Sequence, residues 1–163
     1  MDDATIAQLL DRAISWELTA RDLYAALSKS FPSYPDVEDT WKQMAVDESR
    51  HASILRETRD VLSQSALSRP LDAAEAALIV SAEAELARAA ALELRTLDDA
   101  HELAHRLESS EVSTVFQLLV SCRTDDFANK ALLDAQFDGH IDRLKRLTDG
   151  FDRPTRRSIV LQT

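Results

Sequence analysis

Residues 41–55 read Trp41-Lys42-Gln43-Met44-Ala45-Val46-Asp47-Glu48-Ser49-Arg50-His51-Ala52-Ser53-Ile54-Leu55, and the placing of their apolar positions decides the fold. Val37, Trp41, Met44, Glu48, His51 and Leu55 recur at steps of three and four, the spacing of one helix face turned toward a core. An acid and a histidine therefore interrupt an otherwise apolar stripe.

The same pattern extends outward in both directions. Upstream the stripe is Ala13, Glu17, Ala20, Tyr24 and Leu27. Downstream it is Ala82, Leu86, Ala89, Glu93, Thr96, Ala100, Leu103 and Leu107, and then Val115, Leu119, Cys122, Asp126, Asn129 and Leu133. The spacing predicts helices at about 3–28, 38–63, 71–108 and 111–147. Phe31-Pro32-Ser33-Tyr34-Pro35 breaks the first pair and Ser63 to Pro70 the second. Asp72 with Glu75 has the form of a capping box, and Ser109-Ser110 supplies a hairpin between the last two helices. The expected fold is all-α: an antiparallel four-helix bundle over residues 1–148, followed by an irregular C-terminal extension at 149–163. Its Arg153, Arg156 and Arg157 are expected to be solvated or paired with the acidic body.

Composition agrees with this class. The 163 residues contain only two Gly and four Pro, which favours long helices over a sandwich or barrel. The net charge of -10 argues against a protein that tracks nucleic-acid phosphates, since such domains carry basic stripes. A single Cys rules out an internal disulfide and fits a reducing compartment, so a cytoplasmic location is expected. Met1 to Ala13 lacks the basic start and apolar run of a signal peptide. The longest apolar candidate, Ala73 to Leu92, is broken by Glu75, Glu83, Glu85 and Arg88, so no membrane span is expected.

A carboxylate in a bundle core costs several kcal/mol unless a counter-charge compensates it, and four stripes carry one each. Bound cations supply that counter-charge. In an antiparallel hairpin, residues equidistant from the turn lie level. Glu17 and Glu48 have their midpoint at Pro32-Ser33, and Glu93 and Asp126 have theirs between Ser109 and Ser110. Glu48 and His51, like Asp126 and Asn129, stand three apart and project from one helix face. Glu93 is preferred to Glu83 and Glu85, and Asp126 to Asp125, because only the preferred acids continue their stripes. Carboxylate oxygen with imidazole nitrogen suits iron, manganese or zinc rather than thiolate-seeking centres. Iron, as one or two ions, is the first expectation, with zinc and manganese as alternatives.

The stretches Ala13-Ile14-Ser15-Trp16-Glu17-Leu18-Thr19-Ala20 and Met44 to His51, with Tyr24 seven residues after Glu17, resemble the ferritin-like superfamily, especially rubrerythrin and bacterioferritin. The likeness covers about residues 3–147. It implies an internal two-fold repeat of helix hairpins, with Ala90-Ala91-Leu92-Glu93 answering Ile14 to Glu17 and Asp126-Phe127-Ala128-Asn129 answering Glu48 to His51. Di-iron bundles of this kind take a Glu from each of two helices and Glu-x-x-His from each of two more. The resemblance thus implies a metal-binding oxidoreductase acting on dioxygen, peroxide or ferrous iron, with Glu17, Glu48, His51, Glu93, Asp126 and Asn129 around the metal. Tyr24 is expected to hydrogen-bond and orient a carboxylate.

This sequence departs from the family pattern at three places. Asn129 stands where a histidine ligand is expected, Thr96 stands where rubrerythrin has a further Glu, and no Cys-x-x-Cys pair is present. An external electron donor and a homodimer are therefore expected. The alternative reading is a non-catalytic bundle with a degenerate or single structural metal site, acting as an interaction protein. His101 and His105 point off the Glu93 stripe and are expected at the surface, with Cys122 an inert core thiol and His140 exposed.

Overall fold

In the computed structural model, residues 4–109, 115–116, 118–119 and 142–162 are described. Among them the chain is helical, with two isolated backbone bridges and no strand. Helix α1 spans Ile6–Lys29 and α2 spans Pro35–Val61. A single turn, α3, covers Gln64–Leu67, α4 runs over Ala73–Ala90, and α5 over Leu97–Glu108. Residues 142–150 are helical, and α6 is the short helix Arg153–Ser158.

Local chemistry sets the ends of these elements. Thr5 caps α1 reciprocally with Gln8, and Asp72 caps α4 reciprocally with Glu75, each pair satisfying two backbone donors that the first helical turn leaves unpaired. Helix α2 begins at Pro35, three residues before the expected start, because proline's missing N–H costs nothing in a first turn. Asp36 and Glu38 there also complement the helix dipole.

The expected continuous helix 71–108 is not formed. Helix α4 ends at Ala90, residues 91–96 make a loop, and Thr96 opens α5 with its own capping box to Asp99. The competing signal lay inside the apparent stripe: Thr96 with Asp99 three residues on satisfies two orphan N–H groups, which favours starting a new helix over continuing an exposed one. The two helices then fold back on each other. Glu85, Arg88, Ala89 and Leu92 line one small cleft together with Leu103, Arg106 and Leu107.

Five ties set the directions of travel. Thr5 bridges Pro70 and Arg12 pairs with Glu83, so α4 runs alongside α1 in the same sense. At the far end, Leu161 N–H donates to the Arg95 carbonyl and Gln162 N–H to the Ser30 carbonyl, which places the start of α5 beside the end of α1. Helix α5 then returns, antiparallel to α1, until the Tyr24 hydroxyl meets Glu108.

Among the described residues two apolar clusters form the interior. One gathers Ile6, Leu9, Leu10, Ala13, Trp16 and Leu55 with Val115, Phe116 and Leu119. The other gathers Ala20, Tyr24, Leu27, Val37, Trp41 and Met44 with Leu97, Ala100, Leu144 and Ile159. Most of the apolar positions in the predicted stripes of α1, α2 and α5 are fully buried, and burial of such side chains drives folding at roughly 25 cal/mol per Å².

The C-terminal segment is docked rather than irregular. Ile159 is buried, Thr96 bridges Val160, and Asp98 accepts from Arg153, Arg156 and Arg157 at 3.1–3.2 Å. Arg156 is itself buried and also donates to the Phe151 carbonyl. These arginines were expected to be solvated or paired with the acidic body; all three pair with one carboxylate, which ties the segment to α5. No helix of the described residues is long and apolar enough to cross a membrane.

Candidate metal centre

Glu17 lies on α1 between the apolar steps Ala13 and Ala20, and Glu48 and His51 lie on α2 between Met44 and Leu55. The trio therefore occupies the waist between the two apolar clusters. One donor atom from each comes within 4.8 Å of the others, and all three residues are buried. His51 Nδ1 is 3.2 Å from Glu48 Oε2 and 3.4 Å from Glu17 Oε2. The levelling of Glu17 with Glu48 across the 30–34 loop follows from antiparallel pairing of two uninterrupted helices.

The electrostatics are those of two acids sharing one base in a dry site. Burial, reinforced by the neighbouring Glu17, pushes the Glu48 carboxyl up to about 7 even though His51 pulls it down. Burial alone would lower His51, but hydrogen bonds and charge from Glu17 and Glu48 outweigh it and raise the imidazole to about 9. The cluster offers two carboxylates and an imidazole converging on one point. That donor set fits a divalent first-row cation such as iron, manganese or zinc.

The surroundings were only partly legible in the sequence. The Phe116 ring packs against His51 with centroids 4.6 Å apart and planes inclined at 42°. Tyr24 is fully buried, stacks on Trp41, and donates its hydroxyl to Glu108 Oε1 at 2.7 Å. Burial, then Glu108, Glu48 and Glu17, holds the phenol well above its ordinary value. Asp47, beside Glu48, is buried and ion-paired with Arg143 and Arg50, which ties residues 142–150 to α2. None of Phe116, Glu108 or Asp47 was singled out by periodicity. Glu108 could have been found as the carboxylate that Tyr24 was expected to bond.

The remaining expected site residues fall elsewhere. Glu93 is not brought to the trio: it sits in the 91–96 loop, its side chain 76% exposed and paired with Arg95 at 2.8 Å. The helix break that Thr96 caps is the cause, since it carries Glu93 to the end of the bundle near Ser30. Asp126 and Asn129, with Cys122 and His140, lie outside the described residues. Of the two histidines expected at the surface, His105 is exposed. His101 is half-buried, its Nε2 3.2 Å from the Leu144 carbonyl, and burial together with Arg156 lowers its pKa.

Comparison with known proteins bears on both fold and site. The rubrerythrin family pattern matches residues 8–126, which include Glu17, Glu48 and His51. Among solved structures, the chain is similar to a Thermotoga maritima protein provisionally assigned as a ferritin-like diiron-carboxylate protein. The TM-score is 0.60 at 17% identity, over 91% of this chain and 95% of that one. At that identity the likeness establishes a ferritin-like helical bundle. No curated protein sequence is significantly similar.

Proposed function

The chain belongs to the rubrerythrin family, and on that premise we propose that it is a diiron-type metal-binding oxidoreductase whose iron is held by Glu17, Glu48 and His51. The observation that carries this reading is the convergence of three buried donors, from two helices, within 4.8 Å. Iron at that point would supply ferrous–ferric cycling toward dioxygen, peroxide or further ferrous iron.

The protein's own groups prepare the site. The antiparallel α1–α2 pair presents the two carboxylates at one level, so neither helix must move to bring them together. Glu48 and His51, three apart on α2, act as a chelate from one helix face. Phe116 and the flanking apolar clusters keep water from the donors, which strengthens each electrostatic interaction inside. His51 carries the proton that a metal must displace and hands it to solvent on binding.

We propose that electrons come from a separate donor protein. A homodimer is the proposed assembly, and mass in solution tests it.

The deciding experiment measures metal per chain by plasma mass spectrometry after reconstitution with ferrous iron, then absorbance after peroxide, for the wild type and Glu48→Ala. One or two iron atoms per chain with an oxidation-dependent band, both lost in Glu48→Ala, is the expected result. One tightly held zinc with no iron uptake would instead favour a non-catalytic bundle with a structural ion, and no metal at all would reject the site.

A further inference from the structure

Helix α5 is two-sided. Leu97, Ala100, Leu103, Ala104 and Leu107 are buried in the bundle, while Asp98, His101, Glu102, His105 and Arg106, at helical spacing, share another face. Arg153 and Arg156 of α6 stand against that face, and the two helices enclose a cleft of about 490 Å³. Small-molecule sites are commonly ~300–1,000 Å³. The cleft is separate from the metal centre, since Glu17, Glu48 and His51 do not line it.

Its charge is the reverse of the chain's. Three arginines face two acids there, although the whole sequence carries a net charge of -10. One of those acids, Asp98, already accepts from Arg153, Arg156 and Arg157, so a single carboxylate is met by three guanidinium groups and a positive surplus remains. Arg156 is buried and held by Asp98 and the Phe151 carbonyl. The other two arginines are exposed. Among the described residues Arg153 donates through Nε alone and Arg106 forms no ion pair. Guanidinium forks with donors to spare are suited to an oxyanion, which they hold through paired hydrogen bonds.

A cation fits the cleft less well. His101 and His105 stand four apart, but their ring centroids are 6.4 Å from each other and His101 Nε2 lies 3.2 Å from the Leu144 carbonyl. Burial first, and the Arg156 charge second, lower the His101 pKa. The arginines would repel a metal ion at the same place.

We propose that the cleft between α5 and α6 binds a phosphate group, with Arg106 and Arg153 as its principal donors and the exposed His105 beside them. A phosphate monoester carries about -1.5 to -2 charge near pH 7, which answers the arginine surplus more fully than one carboxylate does. The cleft is also far larger than a bare ion, which leaves room for an attached organic group.

The test is titration of the full chain with inorganic phosphate, phenyl phosphate and malonate at about 0.15 M ionic strength, followed by calorimetry and by histidine ring resonances. Wild type, Arg106→Gln, Arg106→Lys, Arg21→Gln and Glu48→Ala are compared, with circular dichroism confirming that each is folded. Saturable binding of one phosphate per chain is expected, with the His101 and His105 resonances moving and their pKa values rising on occupancy. Arg106→Gln should weaken binding about tenfold or more and Arg106→Lys should recover part of the loss. Arg21→Gln, on α1, and Glu48→Ala should match wild type. Equal affinity for the two phosphates identifies the free ion as occupant, and tighter binding of phenyl phosphate identifies a small organic phosphate; either supports a phosphate site. Unchanged affinity in Arg106→Gln, malonate binding as tightly as phosphate, or no saturation would overturn it. A loss confined to Glu48→Ala would place the anion on a metal at the waist of the bundle, and would overturn the cleft assignment too.

Discussion

His51 on α2 lies 3.4 Å from the Glu17 carboxylate on α1, so a single imidazole bridges the two longest helices among the described residues at the point where both of their apolar stripes turn polar. With Glu48 3.2 Å away on its own helix, this histidine is the positive partner of two buried acids in the metal-free protein. Its removal therefore tests stability and metal binding separately.

His51→Ala removes the imidazole that Glu17 and Glu48 both face. Breaking one partner out of a buried ionic cluster costs about 3–5 kcal/mol, which for a chain of this size lowers Tm by roughly 10 °C. Thermal unfolding in the presence of a chelator is the check. An unchanged midpoint would mean that the imidazole carries no ionic load in the apo-protein.

Proton linkage fixes the sign of the pH dependence. His51 is raised from an ordinary value near 6.5 to about 9, so its stabilising contribution is fully present below 6.5 and is lost as pH rises through 9. Glu48, raised from about 4.5 to about 7, favours its protonated form in the fold and makes the apo-protein less stable as pH climbs across that interval. The metal-free chain should accordingly lose Tm from pH 6 to pH 9.5. A bound divalent ion replaces those protons, so zinc-loaded protein should show a flatter profile. Calorimetry in buffers of different ionisation enthalpy should detect proton release on binding near pH 7.

Phe116 is fully buried and packs on the His51 ring. Phe116→Ala removes that wall and leaves a cavity, at a cost of about 3–5 kcal/mol. Chelator should strip metal from this variant several-fold faster than from wild type, because the donors become open to water. A stripping rate equal to wild type would show that access to the site lies elsewhere.

Asp98 gathers three guanidinium groups and fastens the C-terminal segment to the start of α5. Burial tends to raise its carboxyl, but Arg153, Arg157 and Arg156 outweigh that and hold it below the usual range. Its contribution is therefore present above about pH 4 and is lost as pH falls through the depressed value. Asp98→Asn should lower Tm by several degrees at pH 7, with the gap from wild type closing in acid. Limited proteolysis should also release residues after Phe151 sooner in this variant. Equal protection of the two proteins would show that Ile159 burial alone holds the segment.

What could be read from the residues and what could not divide along a physical line. Helix-forming composition, the three-four stripes and the breakers at 31–35 and 63–70 determine an all-helical bundle. Levelling across a short loop determines that Glu17 meets Glu48 and His51, because the geometry of two uninterrupted helices is periodic and local. The fate of Glu93 was not local. Its stripe looked continuous, and the capping preference of Thr96 with Asp99 competes with helix propagation by about one kcal/mol, a margin that tertiary packing decides. Once the chain turns back there, the residues of α5 are displaced from their expected levels, which is how Glu108 comes to face Tyr24 across 84 positions of sequence. Phe116 against His51 and the three arginines on Asp98 are likewise pairings between distant segments. The sequence by itself thus determined the helical class and the meeting of Glu17, Glu48 and His51, through repeating local geometry. The helix break before Thr96, the aromatic wall and the docked C-terminal segment were decided only in the tertiary structure, where small local preferences are settled by which side chains can be buried and paired together.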